Sequence, residues 1–322
     1  MKPINKEPES LQEAIIYFAN PDNCVQYLAI RRWPDGVVVC PTCGSNSVST
    51  FHPTRRTWIC ASHHAKREFS IKVGTIFAES PIGLDKWLTA MWMLTSCKNG
   101  ISSWEIHRAL KVSQKAAWFM AHRIRLALQD EHFGSKLGGE VEADETFIGG
   151  KARNMHKDVH ARKISGMGQS AKDKVIVMGM LERGGRVRTQ VIADRQKDTL
   201  QPIVREHVET GTALFTDEMG GYKGLHGEFE HQIIDHAMQY VNGRVHTNGM
   251  ENFWSILKRG LGGTYVSVEP FHLFRYLDEQ VFRFNNRATK DNPLTDSDRF
   301  DLAVRSIVGK RITFAQLTGK PN

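Results

Sequence analysis

Apolar residues change their spacing several times along the chain, and each change predicts a different kind of structure. Leu11, Ile15 and Phe18 recur at helical intervals, and the run ends at the turn Pro34-Asp35-Gly36, so residues 1–36 are expected to be helical. Residues 37–79 break into short strand-like pieces (Val37-Val38-Val39, Thr57-Trp58-Ile59, Phe69-Ser70-Ile71) punctuated by Cys, Gly and His. Residues 80–138 return to a helical pattern. From Gly139 to about 290 strands and helices mix, and 291–322 read as a C-terminal tail.

Within the mixed region the period alternates between two and 3.6. Val141 to Ile148 reads as a strand, and Val175 to Leu181, a Gly184-Gly185 turn and Val187 to Ala193 read as a hairpin. Leu200, Ile203, Val204 and Val208 then mark one side of a helix that stops at Gly211. Ala213 to Asp217 is another short strand, and a helix opens at Glu251. Phe274, Leu277, Val281 and Phe284 make a further helical stripe, expected to be core. Three strands, a helix, a strand and an acid-bearing helix is the element order of a ribonuclease-H-like core.

Composition narrows the function. Lys plus Arg number 43 against 35 Asp plus Glu, a net charge of +8, which favours a polyanionic partner such as DNA. The longest nearly apolar run, Trp87 to Leu94, is too short to span a bilayer, and the polar start MKPINKEPES lacks a signal-peptide core. Five cysteines, three of them clustered, argue for metal binding in a reducing compartment rather than a disulfide framework. A cytoplasmic, nucleoid-associated protein is expected.

Cys40-Pro41-Thr42-Cys43-Gly44 is a C-x2-C knuckle, followed after sixteen residues by Cys60, His63 and His64. Zinc takes four soft ligands as two close pairs from two turns, and this linker lets two hairpins meet. The fourth ligand is His63 in a C-x2-H pair or His64 in a C-x3-H pair. A segment this short cannot bury enough apolar surface to fold alone, so a structural Zn2+ would staple it. Cys24 and Cys97 have no ligand-like neighbours and read as buried thiols.

Further on, Ser102-Ser103-Trp104-Glu105 fits a capping box, Ile106 and Leu110 continue a helix, and Lys111-Val112-Ser113 is a short turn. Ala117, Met120, Ile124 and Ala127 then form an apolar stripe, while Gln114, Lys115, His122, Arg123 and Arg125 are assigned to the other faces. Two helices across a tight turn predict a helix-turn-helix-like DNA-recognition segment, with Lys115 and Arg123 as DNA contacts.

Two strand acids, Asp144 and Asp217, and the helix acid Glu251 could converge on divalent cations. A phosphodiester is attacked in line, and two Mg2+ about 3.5–4 Å apart stabilise the entering and leaving oxygens. Mg2+ prefers hard oxygen ligands, which selects Asp and Glu. Lys258, almost two turns after Glu251, shares its helix face. With Arg259 it is placed to hold DNA. Residues 151–174 carry seven Lys or Arg against two Asp, so Lys151 and Arg153 are further candidate backbone contacts. His226, His231, His236 and His246 show no H-E-x-x-H spacing and are not assigned a metal.

These stretches match a known pattern. VEADETFIGGK, LFTDEMGGY and HTNGMENFWSILKRGLGGTY, after CPTCGS and WICASHHAKREFSIKVGTIFAESPIGLDKW, resemble the DDE transposases of bacterial insertion-sequence family 1595 across roughly residues 10–290. The resemblance implies an N-terminal zinc ribbon and a ribonuclease-H-like domain that cuts double-stranded DNA at transposon ends and joins it to a target with Mg2+ or Mn2+. It gives the acid roles to Asp144, Asp217 and Glu251 and the following lysine to Lys258. Relatives carrying Asn or His as the third residue leave Asn248 as an alternative to Glu251. Frequent C-x3-H pairs in the family favour His64 and so the ligand set Cys40, Cys43, Cys60, His64, although many relatives have a fourth cysteine there. Synapsis of two ends implies a homodimer or larger assembly. A nuclease that cuts without joining, and a non-catalytic zinc-ribbon regulator, are the alternative functions.

Overall fold

A computed structural model describes residues 6–129, 135–149, 174–217, 220–234, 246–290 and 292–319. The chain divides into two units, residues 1–129 with 286–322, and residues 130–285.

In the first unit, α1 (Leu11–Phe18) and α2 (Pro21–Arg32) are each capped locally: Ser10 Oγ accepts from the Glu13 amide and Asn20 Oδ1 from the Asp22 amide. The buried face of α1 is Ala14, Tyr17 and Phe18, so of the expected stripe Leu11, Ile15 and Phe18 only Phe18 enters the core, while Leu11 and Ile15 are exposed. Val37–Val39 form no strand, and the ribbon's sheet is the antiparallel pair β1 (Thr57–Ile59) and β2 (Glu68–Ser70). Trp58 anchors it, with ring contacts to Trp33, Phe51 and Phe69.

Three helices follow: α3 (Leu84–Ser96), α4 (Ser103–Leu110) and α5 (Gln114–Ala127). The Ser102–Glu105 capping box and the Ser113 cap form as the residues predict, with Lys111 in the left-handed conformation at the turn. Residues 291–322, set apart in sequence as a tail, join this unit. Their helix Asp296–Arg305 places Phe300 against Phe18, Tyr27 and Trp92, a fully buried aromatic centre. Such rings bury large areas and also prefer edge-on or tilted contact.

The second unit is built on a five-stranded sheet ordered β5-β4-β3-β6-β7: β3 (Glu140–Ile148), β4 (Val175–Glu182), β5 (Val187–Ile192), β6 (Ala213–Asp217) and β7 (Glu230–Ile234). β3, β4 and β5 pair antiparallel, while β6 pairs parallel to both β3 and β7. The strand β7 has no clear alternation and is not foreseen from the apolar pattern. Helix α6 (Lys197–His207) covers one face, where Leu200 and Val204 meet Val141, Ala143, Met178 and Met180. Helices α7 (Asn248–Gly260) and α8 (Leu273–Asn285) cover the other, where Phe253, Trp254, Leu257, Leu277 and Phe284 meet Val177, Leu181 and Val187. This mixed sheet flanked by helices is the expected ribonuclease-H-like α/β arrangement.

Candidate active site

The parallel pairing of β3 with β6 runs from Glu140↔Ala213 to Glu142↔Phe215. Two residues beyond that last pair, each strand carries an acid, Asp144 and Asp217. Both lie toward the carboxyl ends of parallel strands, where an open α/β sheet forms its crevice. β3 stays paired to β4 through Ile148, with Asp144 opposite Gly179.

The pleat sorts the acids of β3 onto two faces. Glu142 and Asp144 face α7, whereas Glu145 faces the opposite side. Trp254 Nε1 of α7 donates to Asp144 Oδ2 at 2.9 Å, and the Glu145 amide donates to Asp144 Oδ1 at 2.8 Å. Gly179 makes that approach possible, because a Cβ there would lie 2.3 Å from Met250 Cε and 2.6 Å from Trp254 Cζ2. Burial pushes the Asp144 carboxyl up to about 6. The Trp254 hydrogen bond opposes this, and the charges of Asp217 and then Glu251 add to it. No described basic side chain pairs with Asp144. A half-buried carboxylate facing two other acids fits a hard divalent cation.

Glu251 and Lys258 are both exposed on α7, as their spacing predicts; Asn248, the alternative third residue, is exposed at its start. Among the described residues, the group of three or more His, Cys, Asp or Glu side chains placed to hold one metal ion is Cys40, Cys43, Cys60 and His64 of the ribbon. A two-ion arrangement asks its acids to converge in pairs rather than as one knot.

A further carboxylate lies at the back of the site. Glu145 accepts from the fully buried Tyr222 hydroxyl, and burial pushes it up to about 7, with Asp217 and Asp144 adding to the effect.

In the ribbon, Cys40 Sγ lies 3.5 Å from His64 Nε2 and Cys43 Sγ lies 3.6 Å from Cys60 Sγ. All four ligand atoms lie within 4.8 Å of one another. Those separations are edges of a tetrahedron with Zn–S near ~2.3 Å and Zn–N near ~2.0–2.1 Å. Gly44, at φ +73°, turns the knuckle so that its amide reaches Cys40 O at 2.9 Å. Burial works to raise the Cys60 thiol, but hydrogen bonds from His64 and the Ser62 amide outweigh it and bring it down to about 6, toward the thiolate that zinc binds. His64 is the histidine in this cluster, and His63 is exposed outside it.

The basic residues divide. Lys115 is exposed at the start of α5, with Nζ 4.4 Å from the Phe314 ring. Lys258 and Arg259 are exposed on α7. Arg123 is corrected: it is 5% exposed and donates to Ala78 O at 2.7 Å, with its guanidinium over the Phe119 and Trp87 rings. His122 and Arg125 are buried too, because α5 runs inward after its first turns and leaves no outward basic face there. Lys151 and Arg153 lie outside the described residues.

Residues 136–285 match the ISXO2-like transposase domain family, and residues 19–64 match the transposase zinc-ribbon domain family. The chain belongs to the insertion-sequence 1595 transposases. An uncharacterized protein in transposable element ISH50 of Halobacterium salinarum is 27% identical to this transposase over 280 residues, 83% of this chain and 93% of that protein. An uncharacterized transposase-like protein of Haemophilus influenzae is 35% identical over 106 residues, 33% of this chain and 85% of that one. No solved structure matches the chain significantly.

Four side chains of the transposase's site escape the motif-level reading: Glu142, Glu145, Arg183 and Trp254. Trp254 had a signal, since it sits one turn after Glu251 on the apolar side of the same helix. Arg183 had none, because an arginine beside a Gly-Gly turn reads as exposed.

Proposed function

We propose that the transposase binds double-stranded DNA at the ends of its element, cleaves a phosphodiester at each and joins the freed 3′-ends to target DNA. Asp144, Asp217 and Glu251 would hold two Mg2+ or Mn2+. The observation that carries this reading is Asp144: a half-buried carboxylate, with no described cationic partner, facing two further acids at the open end of a parallel strand pair. The ions, when bound, supply charge stabilisation for the entering and leaving oxygens and lower the pKa of the attacking hydroxyl or water.

The chain's own residues supply the rest. Trp254 fixes the Asp144 carboxylate through Oδ2, and the Glu145 amide holds Oδ1. Lys258, on the same exposed face of α7 as Glu251, would hold a phosphate of the DNA end, with Arg259 and Lys115 adding sequence-independent contacts. The ribbon, with Zn2+ on Cys40, Cys43, Cys60 and His64, would be a structural DNA-binding module. Joining two ends requires both in one complex, so a homodimer or larger synaptic assembly acting on nucleoid DNA belongs to the same proposal. Among the described residues no helix is long and apolar enough to cross a membrane.

A strand-transfer assay with labelled element ends and Mg2+ or Mn2+ tests it. Joined product is the expected result. Nicked product alone would make the protein a nuclease, and retention of DNA without cleavage would make it a regulator.

A further inference from the structure

Helix α7 begins without a cap of its own. Thr247, at its N-cap, makes no side-chain hydrogen bond to the first turn. A helix start leaves backbone amides without intrahelical partners, and here the acceptor comes from the sheet. The Met250 amide donates to Glu142 Oε2 at 2.9 Å. Glu142 is 1% exposed, and a negative charge at a helix N-terminus is favourable. Gly249 leaves room for it, since a Cβ there would lie 2.8 Å from the same oxygen and 2.4 Å from Leu181 Cδ2.

The other Glu142 oxygen receives Arg183 Nε at 2.8 Å. Arg183 also binds Glu140 through Nη1 at 2.9 Å and donates to His246 O through Nη2 at 2.6 Å. Its guanidinium lies 4.2 Å over the Phe215 ring. One arginine therefore touches β3, β6 and the entry to α7, the three elements that carry Asp144, Asp217 and Glu251. Glu142 is only two residues from Asp144, yet its oxygens are spoken for by Arg183 and the helix amide, so it is not itself a free ligand.

We propose that Glu142, held by Arg183, is a positioning residue for Glu251. It sets the start of α7 on the sheet, and Glu251 follows immediately after the amide it binds. The inference rests on the metal-dependent reading above and adds the device that aims the third acid.

Mn2+ binding to the full-length protein, measured by calorimetry, provides the test in wild type, Glu142→Gln, Glu251→Gln and the double variant. Glu142→Gln should weaken Mn2+ by about tenfold or more, the size expected when a ligand's support is removed. Added to Glu251→Gln, it should cost nothing further, because a device that only aims Glu251 has nothing left to aim. Unchanged Mn2+ affinity in Glu142→Gln would overturn the proposal, as would an undiminished effect in the Glu251→Gln background. Wild-type protein that binds no Mn2+ would instead overturn the catalytic reading, and this proposal with it. Should Glu142→Gln fail to fold, Arg183→Lys carries the same two predictions, since lysine keeps the charge but cannot bridge Glu140, Glu142 and the His246 carbonyl at once.

Discussion

Trp254 donates its indole N–H to Asp144 across 2.9 Å, joining the helix that carries Glu251 to the strand that carries the first acid. The bond favours the charged carboxylate, in opposition to burial. Trp254→Phe keeps most of the packing and removes only the donor. The Asp144 carboxyl should then titrate above its present value of about 6, and the acid limb of the cleavage pH profile should move to higher pH. Stability should fall by about 1.5–3 kcal/mol, the range for a hydrogen bond to a charged group. An unmoved pH profile would show that the bond does not tune the acid.

Asp144 also makes the metal-free fold pay a penalty at neutral pH. Its carboxyl rises from 3.8 to about 6 on folding, so the native state holds this proton more tightly than the unfolded chain. The penalty is absent below 3.8, grows as pH rises toward 6 and is complete above it. Asp144→Asn should therefore melt higher than wild type at pH 7.5 without divalent metal, by ~1–3 kcal/mol, and nearly equal to it at pH 4. It should also abolish cleavage. Thermal melts at the two pH values check the first outcome, and equal melting at pH 7.5 would contradict it.

Gly179 tests the seat of α7. An alanine Cβ would collide with Met250 and Trp254, and such overpacking typically costs about 1–3 kcal/mol. Gly179→Ala should lower the denaturation midpoint and reduce cleavage, because the helix must lift from the strand beside Asp144. A stable, fully active Gly179→Ala protein would mean that this contact does not place the helix.

The two histidines of the ribbon separate cleanly. His64→Ala should lose about one equivalent of zinc and loosen residues 37–79, while His63→Ala should keep the metal. Metal analysis of the purified variants decides between them, and zinc loss from His63→Ala would contradict the ligand set.

Much of this was legible in the residues. Asp144 and Asp217 stand at strand positions where a carboxylate interrupts apolar neighbours, and the Cys–His spacing predicts a four-ligand site while leaving His63 and His64 as alternatives for its fourth corner. Arg123 misled because a 3.6-residue period says which residues share a face, but not that a long helix dives into a core; there an arginine can bury its stem against Trp87 and Phe119 and donate to a carbonyl. Leu11 and Ile15 misled for a related reason, since the core kept Phe18 of their stripe but took Ala14 and Tyr17 beside it. Glu142 and Arg183 were hidden because they are 41 residues apart and meet only once β3 and β4 are in register.

The most direct test is an anomalous-difference map from crystals of the full-length protein soaked with Mn2+. Peaks are expected about 2.0–2.2 Å from oxygens of Asp144, with Asp217 and Glu251 completing the coordination. Manganese bound elsewhere, or no peak beside Asp144 at saturating Mn2+, would contradict the metal-dependent account.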